Sequence, residues 1–275
     1  MKLSYYIKKA SKMNFWVMVN KFLRRFTGHF NLVNAFNKIK DYHSDTRINS
    51  NTCVIVNKFV CQCKSDVSKI EKRTVDFIAG IYLNHRFDIL GSGWIKNVFD
   101  DTSFTLSTYY RKNKEKIFNP NGKHLEKILL KQHLISSLKI YRTALLTMKD
   151  YEPIDWRKDV KSGFIWSAKL YYTDHIKIHA AGRDIKMPWE LSRMQHLAQL
   201  AFLSLKLPDA QKSRLVMEFK NQFIDFTASN PPRMGVNWSC TMDVAIRAAN
   251  LLIAYDIFSQ FDNQFIDLNF KQLFA

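Results

Sequence analysis

Glycine and proline are scarce in this chain of 275 residues, with 8 and 6 of them respectively. An all-β fold needs many tight turns, and tight turns depend on these two residues, so the composition argues against that class. Apolar residues make up 47% of the chain and mostly recur at helical spacing. This pattern predicts a mainly α fold with a full-sized core.

Cysteine is also rare, and the spacing of Cys53, Cys61, Cys63 and Cys240 indicates no disulfide framework. The first three residues lack a fourth ligand at the spacing of zinc sites, so no metal is predicted. The chain has no Gly-rich phosphate loop, no nucleophile elbow and no His cluster suited to a metal. We therefore predict no cofactor, and no catalytic set is evident from the residues alone.

Long apolar runs are missing as well, since none approaches the roughly 18–20 residues that span a membrane. No secretory signal is evident, because the apolar run at residues 15–19 is short and basic residues follow it. These absences predict a cytoplasmic protein without a membrane span. Residues 3–26 form a basic amphipathic pattern, which predicts either peripheral contact with an acidic membrane or packing against the rest of the chain.

Positive charge is abundant, with a net charge of +18, and it is unevenly placed. Residues 1–150 contain 27 Lys and Arg against 11 Asp and Glu, whereas residues 151–275 contain 15 against 13. The basic half favours an acidic partner such as a polyanionic glycan, a nucleic acid or an anionic membrane, or it simply keeps the chain soluble. No nucleic-acid-binding motif accompanies the charge, so no nucleic acid is predicted.

Periodic apolar patterns predict a series of helices separated by polar or Pro- and Gly-containing breaks. The predicted helices cover residues 30–43, 75–84, 124–149, 189–205, 210–227 and 240–258, and Ser239 is the expected N-cap of the last one. Residues 44–52 read as a linker and residues 100–123 as a long loop or insertion. From residue 189 onward, helices alternate with short loops, as in stacked α-hairpins.

Charged and aromatic residues at the start of the 189–205 helix are candidates for a binding site. Trp189 and Arg193 are four residues apart and share a helix face, and Glu190 lies three residues from Arg193 and can pair with it. A Trp face stacks on a sugar ring, and the guanidinium fork holds carboxylates. The same residues also suit the edge of an ordinary helical core.

The 240–258 helix carries a polar row, Asp243, Arg247 and Asn250, on an otherwise apolar sequence. Buried charges must be paired or face a cavity, so the row predicts either an Asp243–Arg247 pair that braces neighbouring loops or a cavity wall. Asn237 and Trp238 precede this helix and are better ligand candidates, because loops at helix ends present side chains and free N–H groups.

Four linked motifs carry a resemblance to a known family. They are His85-Arg-Phe-Asp-Ile-Leu-Gly-Ser-Gly93, Ile154-Asp-Trp156, Asp184-Ile-Lys with Trp189-Glu-Leu-Ser-Arg193, and Asn237-Trp with Met242-Asp-Val-Ala-Ile-Arg247 and Asn250. In order and approximate spacing they resemble the N-terminal domain of heparinase II/III-like proteins. The resemblance implies an incomplete (α/α) toroid of stacked helical hairpins over residues 76–275, after a basic helical segment at residues 1–75.

The resemblance also implies a function, because members with known activity are polysaccharide lyases that cleave uronic-acid polymers by β-elimination. It implies an acidic polysaccharide as partner and a periplasmic location. The family's carboxylate-neutralising Asn belongs to an Asn-Asn-His segment, which this sequence lacks together with the β-sandwich that follows it. No catalytic residue is therefore carried over, and we expect a front part of a lyase-like protein without turnover.

The resemblance assigns six residues of this chain to the lining of the cleft. They are Trp189, Glu190, Arg193, Asn237, Trp238 and Arg247. The alternative is a non-catalytic protein on the same scaffold, which binds acidic polysaccharide or assembles surface polysaccharide. An interrupted toroid would leave an apolar face uncovered. We therefore expect self-association through the phenylalanines near the end, which are Phe258, Phe261, Phe265, Phe270 and Phe274.

Overall fold

The computed structural model describes residues 32–43, 69–99, 122–142, 151–176, 181–261 and 268–274. The chain separates into two compact units, Met1–Ser44 and Asp45–Ala275. The first unit contains helix α1, Leu32–His43, which confirms the helix predicted over residues 30–43. The predicted segments at residues 3–26, 44–52 and 100–121 lie outside the described residues, as do Cys53, Cys61 and Cys63.

The second unit is built mainly from helices, which confirms the mainly α prediction. Its helices are α2 (Lys72–Leu83), α3 (Lys123–Ile128), α4 (Lys131–Arg142), α5 (Tyr172–His175), α6 (Lys186–Ser192), α7 (Gln195–Ser204), α8 (Asp209–Ser229), α9 (Thr241–Phe258) and α10 (Leu268–Phe274). A 3₁₀ turn, Val236–Trp238, precedes α9. Helix α2 spans the boundary predicted between residues 75 and 76, and the division into domains stays a prediction.

A short antiparallel hairpin follows α2. Its strands are β1 (Arg86–Asp88) and β2 (Trp94–Lys96), and Phe87 lies opposite Ile95. Gly91 and Gly93 have positive φ angles of 72° and 75°, which glycine adopts without steric strain. These two glycines therefore allow the turn that joins β1 to β2.

Helix α8 is the central element of the core and contacts α2, α3, α4 and α7. No Gly or Pro interrupts its 21 residues, and Asp209 in the first turn suits the positive end of the helix dipole. Pro231 and Pro232 follow the helix and prevent its continuation. Its side chains are apolar on several sides, so most of the helix from Leu215 onward is buried.

Two helices predicted as continuous are interrupted. The helix predicted over residues 189–205 breaks at Met194, whose φ of 57° is left-handed and which separates α6 from α7. The helix predicted over residues 124–149 breaks at Leu129, whose extended backbone separates α3 from α4. The single-helix predictions were therefore wrong at these places, because neither Met nor Leu signals a break in sequence.

The aromatic residues near the end of the chain pack together instead of facing solvent. Phe258 has no exposed surface and Phe270 exposes 2% of its surface. The ring centroids of Phe258 and Phe219 are 5.4 Å apart, and the Phe274 ring stacks on Tyr255 at 4.4 Å. The expected exposure of Phe258 and Phe270 is therefore wrong, because α10 contributes to the core beside α8 and α9. Self-association stays a prediction, and Phe265 lies outside the described residues.

Candidate functional site

The predicted site residues from three distant segments meet in one place, which we call the Arg247 cluster. It comprises Trp189, Glu190, Arg193, Asn237, Trp238, Asp243 and Arg247. Helix α6, the 3₁₀ turn and the first half of α9 supply these residues. The motifs at Trp189–Arg193 and Asn237–Arg247 therefore form a single three-dimensional unit.

Trp189 joins α6 to the 3₁₀ turn through its indole nitrogen. Its Nε1 donates to the carbonyl oxygen of Val236 at 3.0 Å and to Oγ of Ser239 at 3.0 Å. The Ser239 hydroxyl in turn donates to the Val236 oxygen at 2.6 Å. Ser239 is therefore not the N-cap predicted for α9; Cys240 takes that position without a side-chain hydrogen bond.

Arg193 lies between two carboxylates on the exposed side of the cluster. Its Nη1 is 2.5 Å from Oε2 of Glu190, and its Nε is 2.6 Å from Oδ1 of Asp243. Burial alone would lower the pKa of Arg193, but the hydrogen bond to Asp243 and the charge of Glu190 raise it. Asp243 therefore pairs with Arg193 rather than with Arg247, which corrects the pair expected within α9.

Arg247 lies on the buried side of the cluster. Only 4% of its surface is exposed, and its Nη2 donates to the carbonyl oxygen of Asn237 at 2.7 Å. The guanidinium lies 4.4 Å from the ring centre of Phe226 and 5.2 Å from that of Trp238. Burial lowers the pKa of Arg247 to about 10, and the charge of Asp243 opposes this effect.

Asn237 links the 3₁₀ turn to the loop that contains Trp156. Its Nδ2 donates to the carbonyl oxygen of Trp156 at 2.9 Å and to Oδ1 of Asn230 at 2.8 Å. Only 1% of Asn237 is exposed. Asn237 and Arg247 thus form the inner support, while the half-buried Trp189, Glu190, Arg193 and Trp238 lie nearer solvent.

Several buried polar atoms of the cluster have no hydrogen-bond partner within the described part of the chain. They are Nε and Nη1 of Arg247, Nε1 of Trp238, Oδ2 of Asp243 and Oδ1 of Asn237. Buried polar atoms in native proteins nearly always bind a partner. The cluster therefore leaves three buried donors and two buried acceptors unsatisfied within the described residues.

A second polar site, the Asp225 cluster, was missed by the sequence analysis. Oδ2 of Asp225 accepts hydrogen bonds from the Tyr151 hydroxyl at 3.1 Å, the Ile154 amide at 2.9 Å and Nε1 of Trp156 at 3.0 Å. Burial raises the pKa of Asp225 to about 7, although these three donors oppose the shift. The cluster fixes the loop at residues 151–156 against α8.

A row of polar side chains continues along α8 from the Asp225 cluster. Glu218 Oε1 accepts from Gln222 at 2.7 Å and lies 2.8 Å from Nε2 of His85. Gln222 Oε1 lies 2.7 Å from Nε2 of His196. Burial lowers the pKa of His196 to about 4, so this imidazole is neutral at pH 7. In sequence these polar residues look like the solvated face of an amphipathic helix, so the pattern alone did not indicate that they are buried.

Within the described ranges, no three His, Cys, Asp or Glu side chains lie close enough together to hold a metal ion. None of the described helices is long and apolar enough to cross a bilayer. Comparison with models of protein families, with curated proteins and with solved structures finds no match to this chain. Function therefore has to be inferred from the chemistry of the clusters themselves.

Proposed function

We propose that this chain is a helical, acidic-polysaccharide-binding part of a heparinase II/III-like protein. The observation that carries the proposal is the meeting of the Trp156, Trp189 and Trp238 segments in and around the Arg247 cluster. Aromatic faces beside guanidinium and carboxylate groups suit the binding of a sugar ring. In this proposal the ring lies against Trp189 and Trp238, while Asn237 and Arg247 hold the supporting turn.

The helix packing supports the toroid part of the proposal. Helices α7 and α8 are joined by residues 205–208 and pack on each other, and α9 packs on α7. Helices linked by such short loops are antiparallel neighbours. Stacked helical hairpins are the repeating unit of an (α/α) toroid, and we propose that these helices form an incomplete one.

The charges of the Arg247 cluster balance one another. Arg193 and Arg247 contribute two cations, and Glu190 and Asp243 contribute two carboxylates. A balanced site attracts a carboxylate of the ligand only weakly, whereas its partly exposed Arg193 and Glu190 side chains suit sugar hydroxyls. The cluster is therefore proposed to bind the hydroxyl-bearing part of a saccharide.

The first experiment measures binding of the chain to alginate and to heparan sulfate by isothermal titration calorimetry. Trp238→Ala is expected to weaken binding about tenfold, since one aromatic contact in a binding site supplies roughly 1–1.5 kcal/mol. Phe77→Ala is the matched control, because this side chain is 58% exposed and lies on α2 outside the cluster. Failure of the wild type to bind either polymer would falsify the proposal.

The lyase reaction is tested separately, by following the absorbance of the unsaturated uronate that β-elimination produces. No catalytic residue is proposed within these 275 residues, because the motif that carries the family's chemistry does not occur in them. Binding without product is therefore expected. Product formation would show that residues outside the predicted set perform the chemistry.

A further inference from the structure

The β1–β2 hairpin presents an aromatic and charged face to solvent that the proposed function does not use. Side chains alternate along each strand, so Arg86 and Asp88 of β1 and Trp94 and Lys96 of β2 point outward. Phe87 points inward and exposes only 3% of its surface. The outer face thus carries one large aromatic ring among charges.

Trp94 is exposed and yet held in place. It exposes 39% of its surface, while the Tyr82 ring packs against it at 5.9 Å with an interplanar angle of 70°. Tyr82 is itself fixed, because its hydroxyl donates to Oε1 of Gln199 at 2.6 Å. An aromatic ring that is rigid before binding loses little conformational entropy on contact with a ligand. Trp94 is therefore a preorganised platform.

Arg86 is the cation of this face that has no carboxylate partner. Lys96 pairs with Glu152, and Oδ1 of Asp88 accepts the amide of Gly93 at 2.9 Å. Nη1 of Arg86 donates to the carbonyl oxygen of Trp94 at 3.2 Å, which holds the guanidinium beside β2. No carboxylate lies within ion-pair distance of Arg86 in the described ranges. Its remaining N–H groups are free for an anionic ligand.

We propose that the outer face of the hairpin binds one uronate residue of an acidic polysaccharide. The sugar ring stacks on Trp94, and the uronate carboxylate pairs with the guanidinium of Arg86. The choice of polymer rests on the proposed function, but the site is separate from the Arg247 cluster. The two sites contact different groups of the polysaccharide. The charge-balanced Arg247 cluster contacts sugar hydroxyls, and the hairpin pairs with a uronate carboxylate.

Two variants and two matched controls test the hairpin site with alginate in calorimetric titrations of the full chain. Trp94→Ala is expected to raise the dissociation constant about tenfold, because the stacking face is lost. Its control is Phe77→Ala, which removes an exposed aromatic ring of α2. Arg86→Gln is expected to weaken binding to a similar degree, and its control is Arg73→Gln, an exposed arginine on α2.

Salt dependence distinguishes pairing with a carboxylate from a merely structural role of Arg86. For polyanions, each cation that pairs with the polymer makes affinity fall more steeply with salt concentration, because counterions are released. Arg86→Gln is expected to lower the slope of log affinity against log salt concentration, and Trp94→Ala is expected to leave it unchanged. Thermal melting of each variant confirms that the fold is retained.

The outcomes separate this inference from the proposed function. Wild-type affinity in both Trp94→Ala and Arg86→Gln, together with weaker binding of Trp238→Ala, overturns the hairpin site alone. Absence of wild-type binding to both alginate and heparan sulfate overturns both, and absence of binding to alginate alone overturns the hairpin site. An unchanged salt slope in Arg86→Gln overturns the assignment of the carboxylate to the hairpin.

Discussion

The Asp225 and Arg247 clusters bury charge in different ways. Asp225 is ionisable, but neutral donors surround it, and three of them converge on a single oxygen. The Arg247 cluster instead alternates cations with carboxylates and leaves five buried polar atoms on four residues without a hydrogen-bond partner among the described residues. In the Asp225 cluster only Oδ1 of Asp225 is left without a partner.

This difference separates a structural site from a candidate binding site. Donors that converge on one oxygen connect parts of the chain and have no capacity left for a ligand. The Arg247 cluster has that capacity on its outer side, where half-buried tryptophans lie beside the partly exposed Arg193 and Glu190. Variants of the Asp225 cluster should therefore change stability, whereas variants on the outer side of the Arg247 cluster should change binding.

The largest effect is expected for Asp225→Ala. The variant leaves the Tyr151 hydroxyl, the Ile154 amide and the Trp156 indole nitrogen without an acceptor, and it should lower the free energy of unfolding by about 3–5 kcal/mol. Urea unfolding followed by circular dichroism measures the change. Asp209→Ala is the control, because its side chain is 97% exposed, and an equal loss in both variants would contradict the structural role.

Arg247→Leu is expected to have the next largest effect. It removes the donor to the Asn237 carbonyl and leaves Asp243 with one cation fewer nearby, so the free energy of unfolding should fall by about 2–4 kcal/mol. The same urea titration measures it. The exposed Arg214 on α8 provides the control as Arg214→Leu. A stability equal to that of the wild type would show that Arg247 is not needed to hold the turn.

Stability should depend on pH through two buried groups, Asp225 and His196, whose contributions change in opposite directions as the pH rises. The pKa of Asp225 is raised to about 7, so its contribution to stability is complete below pH 4 and is lost as the pH rises through 7. The pKa of His196 is lowered to about 4, so its contribution is complete above pH 6.5 and is lost as the pH falls through 4.

Asp225→Asn removes the pH-dependent contribution of Asp225 and keeps that of His196. The stability of this variant relative to the wild type should therefore increase with pH, by about 1–3 kcal/mol between about pH 4.5 and 7.5. Urea midpoints at three pH values measure this difference. Asp209→Asn should give a curve parallel to that of the wild type, and a parallel curve for Asp225→Asn would refute the raised pKa.

Trp189→Phe is expected to have the smallest effect on stability. The variant loses the indole N–H that donates to Val236 and Ser239, so the free energy of unfolding should fall by about 1–2 kcal/mol. Phe keeps an aromatic face, so alginate affinity should stay within about twofold of the wild type. A large loss of affinity would mean that binding needs the hydrogen bonds by which Trp189 holds the turn, and not only an aromatic face.

The sequence predicted long helices better than it predicted interruptions and polar contacts. Helices α8 and α9 lie within two residues of their predicted ends, because their apolar patterns are long and prolines flank α8 on both sides. The break at Met194 carries no such mark. Its left-handed backbone is stabilised by tertiary contacts, including the hydrogen bond from Asn250 to the Arg193 carbonyl oxygen at 2.9 Å.

The sequence predicted the members of the candidate site and the Glu190–Arg193 pair, but not the partner of Asp243. Trp189, Arg193, Asn237 and Arg247 do meet, as their shared motifs suggested. The predicted partner of Asp243 was wrong, because the spacing of residues within α9 gives no information about a cation on another helix. Asp225 was missed because a lone Asp in an amphipathic helix looks like a solvated residue until its neighbours are known to be buried.

The polar row of α8 has a consequence for the uniqueness of the fold. Glu218 meets His85, Gln222 meets His196, and Asp225 meets the loop that ends at Trp156. Sliding the helix by one turn, about 5.4 Å, would separate all three pairings at once and leave their polar groups buried without partners. Apolar contacts have no preferred direction, whereas hydrogen bonds do. The polar row therefore specifies one position of α8 along its axis.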